Sequence, residues 1–246
     1  MWRIGRVAAL LCTCALASAA ALAAKPPAAP RPFDPRSVRP MISPAAPASP
    51  AALCTLGESG DPVFIVNYIL PPDDAYYVLL SAVRCAPCMP PDTSSLAEAF
   101  LALSFPVTCS IPVNVSIVGA TGPESCRRPV PSNVLCPEQS MTLSPSQTGT
   151  TLFELPLPSA CEIDGDAFLC IEFPSLPEDC DEFEKRPNLV TTNRCATCET
   201  YNFYPGGSDD LCAVLFPGRP IMYTGVDACV VPVLPHTWGS VKVVYR

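Results

Sequence analysis

Histidine is almost missing from this chain. His236 is the single one in 246 residues, and it lies in a proline-flanked segment close to the C-terminus. A Ser-His-Asp or Cys-His mechanism would have to run through that one residue. The chain also has no Gly-x-Ser-x-Gly elbow and no His-Glu-x-x-His zinc helix. Glycine is scarce, with 12 residues against 32 prolines, which excludes a collagen-like or Gly-rich repeat. Positive charge is scarce beyond residue 53. From Cys54 onward nine Lys and Arg stand against 22 Asp and Glu, a formal −13. Such a surface repels phosphate, so nucleic acid is excluded as a partner, and anionic membrane surfaces are disfavoured. Long apolar runs are missing too. The run Val7–Leu16 falls well short of the ~20 residues a membrane span needs, so no membrane span is expected.

That short run has the form of a signal peptide. Arg3 and Arg6 supply the basic start, and Ala17-Ser18-Ala19 and Ala21-Leu22-Ala23 are both cleavage options, which assigns residues 1–23 to export. Cys12 and Cys14 lie inside the apolar run in a poor lipobox context and leave with it. Residues 24–53 follow as a Pro/Ala-rich linker, with nine prolines between Lys25 and Pro50. Such a segment favours extended polyproline II and cannot build a core.

Cysteine is what the chain has in excess. Thirteen remain after the signal peptide: Cys54, Cys85, Cys88, Cys109, Cys126, Cys136, Cys161, Cys170, Cys180, Cys195, Cys198, Cys212 and Cys229. In an exported chain this reads as a disulfide framework of six bridges with one thiol left over. The localisation expected is secreted, extracellular or cell-envelope. Cys85/Cys88 and Cys195/Cys198 form two Cys-x-x-Cys pairs. Redox catalysis wants the first thiol at a helix N-terminus, which Met89-Pro90-Pro91 and Glu199 oppose. Four thiolates would also suit tetrahedral zinc, but an oxidising compartment favours structural disulfides.

Residues 54–231 read as one β-domain. Strands are predicted at Phe64–Leu70, Ala75–Val83, Leu96–Phe105, Ile111–Val118, Thr150–Leu155, Ala167–Phe173, Leu189–Thr192, Ala213–Phe216 and Ile221–Thr224; over Leu96–Phe105 a Ser95/Glu98 capping box and the shared face of Leu96, Phe100 and Leu103 offer a helix as the alternative. Ile111–Val118 alternates cleanly, apolar at every second position. Residues 119–147 are predicted to be loop-rich, Asp164-Gly165 to make a hairpin-type turn, and the acidic run Glu178–Glu184 to be a solvated loop. Residues 232–246 form a tail or a last strand, on the alternation of Val241, Val243 and Tyr245. The spacing of short strands and turns gives the fold class: all-β, an antiparallel β-sandwich, jelly-roll-like and disulfide-stapled.

Between Leu189 and Val231 the order is Tyr201, Gly206-Gly207, Asp210-Leu211, Pro217-Gly218 and Ile221-Met222-Tyr223. This layout resembles secreted bacterial jelly-roll β-sandwich accessory modules. The resemblance implies an exported accessory or carbohydrate-binding-like part and carries over no binding residue. The heavy cysteine content departs from that pattern.

The loop Tyr201–Asp210 joins aromatics, a Gly-Gly and two carboxylates. Tyr201, Tyr204, Asp209 and Asp210 are therefore the candidate ligand-binding residues, for an extracellular glycan or protein. No catalytic residue or metal ligand is assigned. Calcium is the one ion that the turns at Asp164-Gly165-Asp166 and Asp209-Asp210 could take, although turn chemistry explains both. The function expected is an exported non-enzymatic module with a binding or structural role. The alternative is a secreted carboxylate-dependent, glycosidase-like hydrolase.

Overall fold

A computed structural model describes residues 38–40, 54–66, 73–81, Cys85, Cys88 and 93–230. The predicted signal peptide and the C-terminal tail lie outside these residues. Among the described residues the chain is an antiparallel β-sandwich with one short helix.

One sheet is built on β5 (Thr93–Phe105). On one side of it runs β8 (Gly149–Ile163). On the other side β13 (Met222–Val230) and β10 (Asn188–Thr191) follow each other along the same edge. β13 continues to β2 (Cys54–Glu58), and β10 continues to β3 (Phe64–Val66) and β1 (Val38–Pro40). The second sheet runs β12 (Gly207–Asp210), β11 (Thr200–Tyr204), β4 (Asp74–Leu80), β9 (Ala167–Phe173), β6 (Ile111–Thr121) and β7 (Arg128–Leu143).

The alternation in β6 buries Ile111, Val113, Val115 and Ile117 completely. With Leu169, Ile171 and Phe173 of β9 and Tyr76, Val78 and Leu80 of β4, they face Leu101, Leu103 and Phe105 of β5 and Leu155 of β8. Packing two apolar inner faces in this way is what gives each sheet its stability.

Several elements differ from expectation. Residues 128–143 form a strand, not a loop. Its prolines and its solvent-exposed residues hide the alternation, and both suit an edge strand. Asp164-Gly165 does turn the chain, but it joins β8 to β9, which lie in different sheets, so it closes no hairpin. Ala213–Phe216 is a turn in which Leu215 has φ 62°, and Leu215 is 81% exposed. The acidic run carries a helical turn, α1 (Glu178–Asp181), around buried Cys180. Part of the segment predicted as linker, Val38–Pro40, pairs with β3 as an edge strand.

Six disulfides staple the described residues: Cys54–Cys85, Cys88–Cys229, Cys109–Cys180, Cys126–Cys198, Cys136–Cys161 and Cys195–Cys212. Neither Cys-x-x-Cys pair closes on itself. Among the described residues Cys170 is the free, buried thiol. Cys136–Cys161 ties the edge strands β7 and β8 together across the sandwich.

A buried ion triad ties the sheets elsewhere. Arg219 pairs with Glu58 of β2 and with Glu199, which leads into β11. Gly218, at φ +86°, makes the approach possible, because a Cβ there would lie 1.6 Å from the Thr192 carbonyl oxygen.

Candidate functional site

The four loop residues singled out in the sequence do not converge on one surface. Strand alternation sends Tyr201 to the outer face of the second sheet and its neighbour Asn202 to the inner one. Tyr201 packs edge-on against Phe168, with centroids 5.8 Å apart, and its hydroxyl donates to the Arg127 carbonyl at 2.7 Å. Burial, then the charge of Asp210, pushes its phenol up, and Arg128 opposes this. Tyr204 is buried and donates to Asp209 Oδ2 at 3.1 Å. Asp210 accepts the backbone N–H of Cys198 at 2.6 Å and of Cys212 at 3.1 Å, so it caps a turn. The loop is braced by Cys126–Cys198 and Cys195–Cys212. Asp166 accepts from Arg127 Nε at 2.8 Å and from Ser81 at 3.2 Å. Among the described residues no group of three or more His, Cys, Asp or Glu is placed to hold a metal ion.

A concave site lies on the same outer face, beside Tyr201. Register sets its floor. Tyr201 pairs with Tyr77, Tyr77 with Cys170, and Cys170 with Ser116, so these four side chains run in one row across β11, β4, β9 and β6. The next row holds Phe203, Ala75, Glu172 and Asn114. Phe203 lies against Tyr77 with centroids 4.7 Å apart. Asn114 Nδ2 donates to Glu172 Oε2 at 3.4 Å.

The wall comes from β7. Its pairing with β6 shifts register between Val115 and Ile117, again between Ile117 and Val118, and again between Val118 and Gly119. Each shift inserts extra residues into β7, and such bulges re-aim side chains. Pro131, Val134 and Glu138 are brought over the sheet in this way. Gly119 leaves room for the bulge, since a Cβ there would meet Asn133 Nδ2 at 2.1 Å. The resulting pocket encloses about 300 Å³ and is lined by Ala75, Tyr77, Ser116, Val118, Pro131, Val134, Glu138, Cys170 and Glu172. Its volume falls at the small end of ligand sites.

Burial pushes the Cys170 thiol up to about 11. Glu172 and Glu138 add to the shift, and hydrogen bonds with Tyr77 and Ser116 oppose it. Burial, with Cys170 and Glu172 beside it, also raises the Tyr77 phenol. Near neutral pH the floor is therefore an uncharged thiol and an uncharged phenol. The charge in the pocket comes from the two glutamates.

Sequence reasoning passed over Tyr77, Glu138, Glu172 and Ser116. Asn114 and Ser116 in β6 and Glu172 in β9 stand at outward positions, where polar residues are the ordinary pattern, so only the closure of β7 over them marks a site.

The class that fold and site define is an all-β antiparallel sandwich, disulfide-stapled, with a pocket on the outer face of one sheet. The chain belongs to the family described as a domain of unknown function, DUF7451, whose model matches residues 81–225. No curated protein matches it. Among solved structures, the cysteine protease and lectin-like domains of Cwp84, a surface layer associated protein of Clostridium difficile, align at 9% identity and TM-score 0.43. That alignment covers 67% of this chain and 33% of the other. An arabinose-bound α-L-arabinofuranosidase, MgGH51, aligns at 15% identity and TM-score 0.24, covering 74% of this chain and 27% of the other. The chain thus spans about a third or less of the length of the solved chains it matches. Both scores lie below the level at which a shared fold or ligand follows.

Proposed function

We propose that this is a secreted, non-enzymatic binding module, and that its ligand sits in the pocket between the outer face of the second sheet and β7. The density of disulfides supports an oxidising extracellular or cell-envelope setting. The observation that carries the reading is the row Tyr77–Cys170–Ser116, with Glu172 in the next row beside it and Glu138 on the wall from β7. An aromatic surface, aliphatic walls and a few convergent polar groups are the make-up of small-ligand sites. A glycan fits this chemistry best, because a sugar ring offers an apolar face and hydroxyls together.

A carboxylate-dependent hydrolase is the second reading, favoured by the two glutamates that line one pocket. A glycan array separates the two. Binding without turnover is expected, and it should be lost in Val134→Trp. Val134 is 53% exposed on an edge strand, so a larger ring there fills the mouth without disturbing the core. Release of cleaved glycan would establish the hydrolase reading. A hit that survives both Val134→Trp and Glu172→Gln would move the site elsewhere.

A further inference from the structure

The charge of the pocket narrows the ligand further. Glu138 and Glu172 both line it, and none of its lining residues is Lys, Arg or His. Arg128, at the start of β7, is exposed and acts on Tyr201 at the far end of the floor row, outside the pocket lining. Arg127 is held by Asp166, and Arg219 by Glu58 and Glu199. Beyond Cys54 the chain carries a formal −13, so the surrounding field has the same sign. An anionic or carboxylated ligand would meet two like charges and no counter-charge among the lining residues.

A bare divalent cation fits poorly. Calcium wants six to eight oxygens, whereas Ala75, Val118, Val134 and the Tyr77 ring supply apolar surface that cannot replace a hydration shell. Organic ammonium is different. It gains from carboxylates, from an aromatic face and from apolar contact along its carbon body, all at once. A volume of about 300 Å³ admits one sugar-sized unit.

We infer that the pocket recognises an amino sugar whose amine is unsubstituted and protonated, the ammonium lying between Glu138 and Glu172 and the ring against Tyr77 and Val134. This inference rests on the pocket reading above and names the ligand class for the same site. Ser116 and the Cys170 thiol remain as neutral partners for hydroxyls.

The test is an NMR titration of the oxidised protein at low salt with glucosamine, N-acetylglucosamine, glucose and putrescine, following the amides of Tyr77, Ser116 and Glu172. Glucosamine should bind. The two neutral sugars should bind about tenfold more weakly or worse, the discrimination expected for losing a charged hydrogen bond. Glu172→Gln and Glu138→Gln should each lower glucosamine affinity about tenfold and erase the preference over glucose. Both variants are nearly isosteric and sit at part-exposed or exposed positions, and an unchanged amide spectrum checks their fold. Equal binding of all three sugars, lost in Val134→Trp, would overturn the ammonium inference and leave the pocket reading standing. Putrescine matching glucosamine would overturn the sugar. If none of the four binds, the amino-sugar inference falls, and the pocket reading then rests on the array hits and their loss in Val134→Trp.

Discussion

Replacing Arg219 by Met should be among the most damaging single changes in the domain. Arg219 is 7% exposed and lies between two carboxylates, Glu58 of β2 and Glu199 before β11. Glu58 is 2% exposed and keeps one other partner, the Gly60 N–H at 3.0 Å. The Glu199 side chain is 18% exposed and can turn toward water. Methionine fills much the same volume, so the loss of packing is small. What remains is a buried anion without its counter-charge, facing a second anion. Breaking a buried pair in this way costs about 3–5 kcal/mol, against roughly 0–1 kcal/mol for an exposed pair. Glu58 dominates the cost because Glu199 can relax. Urea unfolding of the oxidised protein measures it, with an unchanged m-value as the check that the same surface unfolds. The triple variant Glu58→Gln, Arg219→Met, Glu199→Gln removes all three charges and should regain most of the loss, because neutral groups of similar shape replace the network. A cost below about 1 kcal/mol for Arg219→Met would mean the triad behaves as a solvated surface pair, and the reasoning would fail.

Two further outcomes are expected. Gly218→Ala should destabilise by at least as much as an ordinary strained substitution, about 1–3 kcal/mol, because φ +86° and the Thr192 carbonyl both oppose a Cβ; a melting temperature within a degree of the parent would contradict this. Cys170 should stay unlabelled by maleimide in the native protein at neutral pH and label once the unreduced protein is denatured. Its folded-state pKa is raised, so the stability it contributes is full below about pH 9 and is lost as pH rises through about 11, and Cys170→Ala should flatten that alkaline loss.

The fold was legible where period and burial coincide. Ile111, Val113, Val115 and Ile117 announce a strand with one buried face, and the structure buries all four. The odd number of cysteines announced a free thiol, but only the six pairings of the other twelve identify it as Cys170. β7 was not legible, since Pro129, Pro131 and Pro137 punctuate a stretch whose exposed edge asks for no alternation. The apolar run Ala213–Phe216 misled for the converse reason, because its side chains divide between core and solvent within a turn. Buried Phe216 is followed by Gly218 and the bend that delivers Arg219. The pocket was the least legible part. It joins Tyr77 of β4, Glu138 of β7 and Glu172 of β9, and no local pattern links residues so far apart. The Tyr201–Asp210 loop looked like a site because turn-capping aspartates and strand aromatics share the composition of recognition loops.

The place of β13 carries a consequence for how such a chain is made. β2 and β5 do not pair with each other; β13, the last described strand, lies between them. A chain entering an oxidising compartment N-terminus first can close Cys54–Cys85 early. Cys88 must wait for Cys229, 141 residues later. During that wait the sheet has a gap at its centre and its cysteines are open to wrong partners, the nearest being three residues away. Native closure of Cys88–Cys229 and of the gap between β2 and β5 therefore waits for β13. Truncations that spare the pocket but remove β13 will yield misoxidised protein, not a smaller working module.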